Sequence, residues 1–347
     1  MNLNRLFALI ISGALPFVAA DTALAQDAEA PDGDADSEGE DEGLGLSGTV
    51  IFDNAVGVGT FYRDDARSFV PTLTLLGAWK LPGTEHVSLG GRFDLTLYSL
   101  SDGGFADDRD PGEKVRPADA MLTLGHSELL NDEDFTGLVL NGSLRFYIPT
   151  SPGSRHQTLI LGLGPRLGLK RKFGFLTLSA GSRIRYNAFR SQVPITVLED
   201  EGGDVIQACA SRGGGAGEAG DVEQACGGFL NMQWRWYHDF AATFRITPKL
   251  TASISLFIIN SFKFETEVDE LSSEAARQTA AENQSDLSWG VLDVSYAVTD
   301  HFALAVGSSS LQPYRTTDTK RTRFPWWSFE GPQDNYTSLY ADVAGSF

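Results

Sequence analysis

The chain of 347 residues reads as all-β, a twelve-stranded antiparallel transmembrane β-barrel with short turns at one end and long loops at the other. Two observations predict this. From Gly43 onward, runs of up to about fifteen residues alternate apolar and polar side chains, the period-two mark of a strand with one oily and one wet face. After the first link, short and long connections alternate along the chain, which is how membrane barrels arrange their two ends. A soluble β-sandwich or lipocalin-like barrel is the rival. It is disfavoured because the runs exceed the usual five or six residues of soluble strands and keep a polar face throughout.

The first strand is expected over Leu46–Thr60, with Val50, Phe52, Val56 and Val58 on one face and Asn54 interrupting them. Phe69–Trp79 follows; its Pro71 belongs near a rim, where a missing donor does least harm. Leu81-Pro82-Gly83-Thr84 is a tight turn into Val87–Tyr98, where Leu89, Phe93 and Leu95 oppose Arg92, Asp94 and Thr96. After a Gly- and Asp-rich loop come Ala118–Glu128, Leu138–Ile148, Thr158–Lys170 and Phe175–Asn187. The longest loop, Ser191–Gly228, precedes Leu230–Ile246 and Leu250–Phe264. Asp286–Val298, Phe302–Tyr314 and the closing stretch at the C-terminus complete twelve.

Residues 1–25 have the form of a signal peptide. Arg5 supplies the positive start, Leu6–Ala20 is apolar, and Ala23-Leu24-Ala25 is a small-x-small cleavage site. Residues 26–43 form an acidic tail expected to be disordered, with nine acids and no base between Asp27 and Glu42. The formal charge of −19 divides accordingly: −9 lies in the tail and −10 in residues 43–347. The barrel proper is therefore assigned to residues 44–347. No basic face or binding motif points to nucleic acid, and no cofactor is implied. No later stretch has the eighteen apolar residues of a membrane helix, which leaves a barrel open.

The signal, the alternating runs and the last strand together carry a resemblance. Asp334–Phe347 alternates Thr337, Leu339, Ala341, Val343 and Gly345 with Tyr336, Ser338, Tyr340, Asp342 and Ala344, and ends on Phe347. It resembles the closing strand of Gram-negative outer-membrane β-barrel proteins, porins among them. The resemblance implies that Phe347 is an assembly signal read by the barrel-assembly machinery. It also implies that both termini are periplasmic and that the wall meets outer-membrane lipid and lipopolysaccharide.

Cys209 and Cys226, in an exported chain, are expected to form one disulfide across the Gly-rich loop, stabilising it by about 3 kcal/mol. An outer-membrane phospholipase family also has twelve strands, with its Ser two residues from its His on one strand face. Here His126 precedes Ser127 and His238 precedes Asp239, so that pairing is absent and no enzyme is expected. His126 and His238 are read as interfacial or strand-end residues.

The wet face is the candidate site. Arg92, Arg145, Arg166, Arg183, Arg185, Arg235 and Arg245 all fall on it, six of them on the fifth to eighth strands. Asp53, Asp286, Asp293 and Asp342 are expected on the opposite wall, with Asp94 and Asp239 placed to neutralise Arg92 and the Arg235–Arg245 pair. Guanidinium groups hold carboxylates or phosphates in a forked geometry. The sequence thus suggests a passive pore for small anionic solutes, analogous at this site to the arginine tracks of small porins for acidic oligosaccharides. The alternatives are a structural or adhesion barrel with a salt-bridged closed interior and an importer of hydrophobic compounds. Phe324, Trp326, Trp327 and Phe329 are read as an outer aromatic girdle or a hydrophobic entry site, and no inward hydrophobic stripe is expected.

Overall fold

The computed structural model describes residues 45–61, 68–84, 86–97, 100–101, 115–132, 136–192, 195–200, 203–208, 231–264, 284–316, 320–329 and 336–347. The expected signal peptide and acidic tail, and Cys209 and Cys226 with the disulfide expected between them, lie outside the described residues. Strands run in chain order from β1 (Leu46–Gly57), β2 (Ser68–Lys80) and β3 (Val87–Thr96) through the two-residue β4 (Leu100–Ser101) and β5 (Arg116–Pro117). Next come β6 (Ala120–Asp132), β7 (Leu138–Ile148), helix α1 (Pro152–His156), β8 (Leu159–Phe173) and β9 (Leu176–Phe189). A hairpin, β10 (Ile195–Asp200) with β11 (Gly203–Ala208), stands in the longest loop. The chain ends with β12 (Met232–Arg245), β13 (Leu250–Lys263), β14 (Gln284–Thr299), β15 (Phe302–Pro313) and β16 (Thr337–Ser346).

Each long strand pairs antiparallel with its sequence neighbours, and β1 pairs with β16 from Thr49↔Ser346 to Gly57↔Ser338. The β2–β3 pairing links the two ends of that order, so twelve strands close one barrel with no free edge. The expected strands are all present, with ends displaced. The first stops at Gly57 and continues as a 3-10 turn, Val58–Phe61, and the fourth runs on to Asp132 through a bulge after His126. Among the described residues no helix is long and apolar enough to cross a membrane.

Alternation sets the two faces. Leu89, Leu122, Leu167, Ile184, Trp234, Phe240, Leu292, Val306 and Leu339 project outward and are exposed, a continuous apolar belt. The other parity points inward and is largely buried: Thr74, Arg92, Asp94, Arg145, Tyr147, Arg185, Asn187, Ser255 and Asp342. An oily outside and a polar inside invert the pattern of a soluble barrel.

Candidate functional site

The lumen face of β7, β8, β9 and β12 is a basic wall laid on glycines. In register across the four strands stand Asn141, Gly168, Gly181 and Asp239. With no side chains between, the Arg166 guanidinium lies flat along the wall, donating from Nη2 to Asp239 Oδ2 at 2.7 Å and from Nη1 to Asn141 Oδ1 at 3.5 Å. A Cβ at Gly181 would sit 2.6 Å from that carboxylate oxygen. The same arrangement recurs beside Gly162. There Arg185 donates to Asn187 Oδ1 at 2.7 Å and lies over the Tyr147 ring at 3.8 Å, and a Cβ at Gly162 would stand 3.0 Å from its Nε. Arg183 lies over Tyr237 at 4.2 Å, and Arg145 is buried in the same wall.

Several expected residues stand elsewhere. Arg92 is on β3, away from the basic wall, and its Nε donates to Asp94 at 2.9 Å in a buried pair that Thr74 also joins. Asp239 bonds Arg166 rather than neutralising Arg235 and Arg245, because Gly181 opens a path across β9 that the spacing along β12 does not reveal. Arg235 donates to the Met232 sulfur at 3.2 Å, and Arg245 is exposed at the short-turn end of β12. The strand reading puts Tyr147, Tyr237 and Asn187 on wet faces without giving them a role. Each stands two residues from an arginine and shares its face, which is the signal that finds them.

Across the lumen, β1 and β16 bring Asp53 and Asp342 into direct register. Asp293 on β14 accepts a hydrogen bond from Tyr340 Oη at 3.1 Å, reached across Gly307. Asp286 does not join them: it stands seven residues from Asp293, so alternation puts it on the outer face, where it accepts from Asn260 at 2.8 Å.

An inward apolar stripe is present, contrary to expectation. Leu287, Trp289, Val291, Leu311 and Tyr340 form a buried cluster with Phe257, Ile259 and Ala55 packed against it. Phe257 and Ile259 share parity with Ser255 and Ser261, and a reading that counts the polar members of a face passes over them. Trp289 Nε1 donates to Ser309 Oγ at 2.7 Å, satisfying the one polar atom of its ring.

His238 is not at a strand end. It lies midway along β12 on the outer face, its ring 4.7 Å from that of Trp236. His126 stands by the short-turn end, its ring 5.9 Å from His86. Ser127 Oγ and the Glu128 carboxylate approach the same nitrogen of His86, Nδ1, at 3.5 and 3.8 Å. A catalytic relay needs the serine and the acid on different ring nitrogens. The aromatics Phe324, Trp326, Trp327 and Phe329 follow β15, and Trp326 is tied to the outer wall by a bond from Nε1 to the Ser255 carbonyl at 2.8 Å.

No protein-family model matches the chain, and no curated protein matches it. Among solved structures it is similar to an outer-membrane channel from Pseudomonas putida F1, at 12 % identity, covering 92 % of this chain and 100 % of that one with a TM-score of 0.48. It is also similar to the NanC porin, at 9 % identity, 85 % and 98 % coverage and a TM-score of 0.42. A third is the KdgM porin in complex with disordered oligogalacturonate, at 7 % identity, 86 % and 99 % coverage and a TM-score of 0.41.

Proposed function

We propose that this protein is a passive pore of the Gram-negative outer membrane, biased toward small anionic or acidic solutes. The observation that supports the reading is the distribution of charge around the barrel. The lumen faces of β7, β8, β9 and β12 carry eight basic residues and one acid, Asp239, whereas those of β14, β15, β16 and β1 carry three acids, Asp53, Asp293 and Asp342, and no base. A solute in the lumen would cross a transverse field, with guanidinium groups of Arg145, Arg166, Arg183, Arg185 and Arg235 on one side. Tyr147 and Tyr237 hold Arg185 and Arg183 through their rings, which fixes both guanidinium groups on the basic wall.

The exposed belt from Leu89 round to Leu339 supports placement in lipid, since a wall this apolar would aggregate in water. The outer membrane, with both termini and the short turns periplasmic and Phe347 read by the assembly machinery, follows from the signal and the closing strand. The reading implies no turnover and no cofactor.

The apolar cluster around Trp289 favours a second reading, import of compounds with a hydrophobic body. One experiment separates the readings. The mature chain, residues 26–347, is reconstituted into a planar bilayer under a salt gradient. The pore reading expects discrete conductance steps and an anion-selective reversal potential that shrinks in the Arg183→Ala, Arg185→Ala variant. A silent bilayer from a folded, heat-modifiable barrel would sink it. Uptake of a neutral hydrophobic probe by liposomes holding that silent barrel would then support the importer.

A further inference from the structure

The link from β15 to β16 folds over the outside of the barrel. On β14, β15 and β16 the outward positions toward the long-loop end are Ser288, Gly290, Ser308, Ser310, Gln312 and Thr337, where the rest of the belt carries large apolar side chains. Four of them, Ser288, Ser310, Gln312 and Thr337, are no more than 1 % exposed, although they face away from the lumen. Their cover is the segment from Phe324 to Phe329. Gln312 Nε2 donates to the Phe324 carbonyl, and Ser328 N donates to Thr337 Oγ1 at 2.8 Å. Gly290 admits Pro325 so closely that a Cβ there would stand 2.3 Å from its carbonyl oxygen. The segment in turn presents Phe324 and Phe329 outward, 51 % and 79 % exposed, with their rings 5.7 Å apart.

Just before these aromatics the chain carries Arg315, Lys320, Arg321 and Arg323, against Asp318, Glu330 and Asp334 in the same link between β15 and β16. Backbone contacts tie the two sides of this stretch together: Arg315 bridges Thr322, Thr316 N donates to the Arg321 carbonyl at 2.9 Å, and Arg323 N donates to the Tyr314 carbonyl at 3.0 Å. Arg323 is turned inward, bonded to the Arg315 carbonyl at 3.1 Å and lying over Tyr336. Arg315, Lys320 and Arg321 are exposed. Exposed cations a few residues from outward aromatic rings fit an amphiphile with an anionic head and acyl chains. It is a basic spot on a chain whose residues 43–347 sum to −10, so it selects negative charge that the rest of the surface repels.

We propose that this loop binds the phosphorylated glucosamine head of lipid A in the outer leaflet, with Lys320 and Arg321 on phosphate and Phe324 and Phe329 along the acyl chains. The proposal rests on the membrane placement above and is independent of conduction.

Native mass spectrometry of the mature barrel in detergent tests it, using bis-phosphorylated lipid A, the same lipid dephosphorylated, and phosphatidylglycerol as probes. The expected result is one retained lipid A per barrel. Its apparent affinity should fall about ten-fold in Lys320→Glu, Arg321→Glu and several-fold in Phe324→Ser, Phe329→Ser. Heat-modifiable migration and conductance of both variants should match the parent, which separates loss of this site from loss of the fold or of the pore. Undiminished binding by the charge-reversed variant, or equal binding of dephosphorylated lipid, would overturn the phosphate contact. Phosphatidylglycerol held as tightly as lipid A would overturn the assignment to the glycolipid.

Discussion

At Gly168 and Gly181 the missing side chains leave a flat strip two strands wide, and the Arg166 guanidinium lies in it between Asn141 and Asp239. The ion pair is part-buried, with side-chain exposures of 25 % and 17 %, so its geometry matters more than that of a surface pair. Gly181→Val puts a branched side chain where the two charged groups meet, within 2.7 Å of each. The pair must part, leaving two poorly solvated charges, and the variant should unfold from liposomes at lower urea by about 1–3 kcal/mol. An unchanged midpoint together with unchanged single-channel conductance would show that Arg166 has another stable resting place. Alternation along each strand was enough to put Arg145, Arg166, Arg183 and Arg185 on one face. It could not say which carboxylate Arg166 meets, because that choice depends on register across β9, and register is fixed by the turns and by closure rather than by the spacing within β12.

On the scale of an element, the link Arg315–Gln333 shows where pattern reading stops. Its aromatics were legible as a cluster, and outward placement was one of two readings open to them. What the sequence hides is that Ser288, Ser308, Ser310 and Thr337 mark the seat of that cluster, since small polar residues on an outward face look like a fraying strand end. Trp289 and Leu311 were obscured in the converse way: they share the lumen parity with Asp293 and Gly307, and only the buried cluster around them reveals an apolar stripe. Gly290 is the position that joins the link to the wall, and its close neighbour is the Pro325 backbone, which cannot rotate aside as a side chain would. Gly290→Leu should therefore lift the segment from β14 while leaving the strand ladder intact. Limited trypsin digestion of the folded barrel reads this directly: cleavage after Arg321 and Arg323 should accelerate several-fold over the parent. Equal cleavage rates would mean that the hydrogen bonds from Gln312 and to Thr337 hold the segment without the glycine.

For the whole molecule, closure decides whether a wall of twelve strands exists at all, and closure is made by the first and last strands. The β1–β16 ladder ends in two backbone bonds of 3.0 Å, Gly48 N to the Phe347 carbonyl and Phe347 N to the Gly48 carbonyl. Above them the Phe347 ring lies on Gly48, where a Cβ would meet its Cζ at 2.5 Å, while the ring itself stays 82 % exposed at the short-turn end. The terminal aromatic thus has a place in the folded seam besides any role in delivery, and Gly48 is what makes room for it. Gly48→Leu should push the ring off the wall and strain the last two bonds, lowering the temperature at which the folded barrel converts to the slower-migrating unfolded band. Phe347→Ala should cost less, since only an exposed ring is removed. In the double variant the leucine no longer meets a ring, so the two effects should be strongly non-additive, with Gly48→Leu nearly silent on the alanine background. Folding into liposomes from denaturant, without any assembly machinery, isolates the seam from the signal. If Gly48→Leu costs the same with and without the Phe347 ring, the glycine serves the backbone of β1 alone, and the contact with the terminal residue contributes nothing to closure.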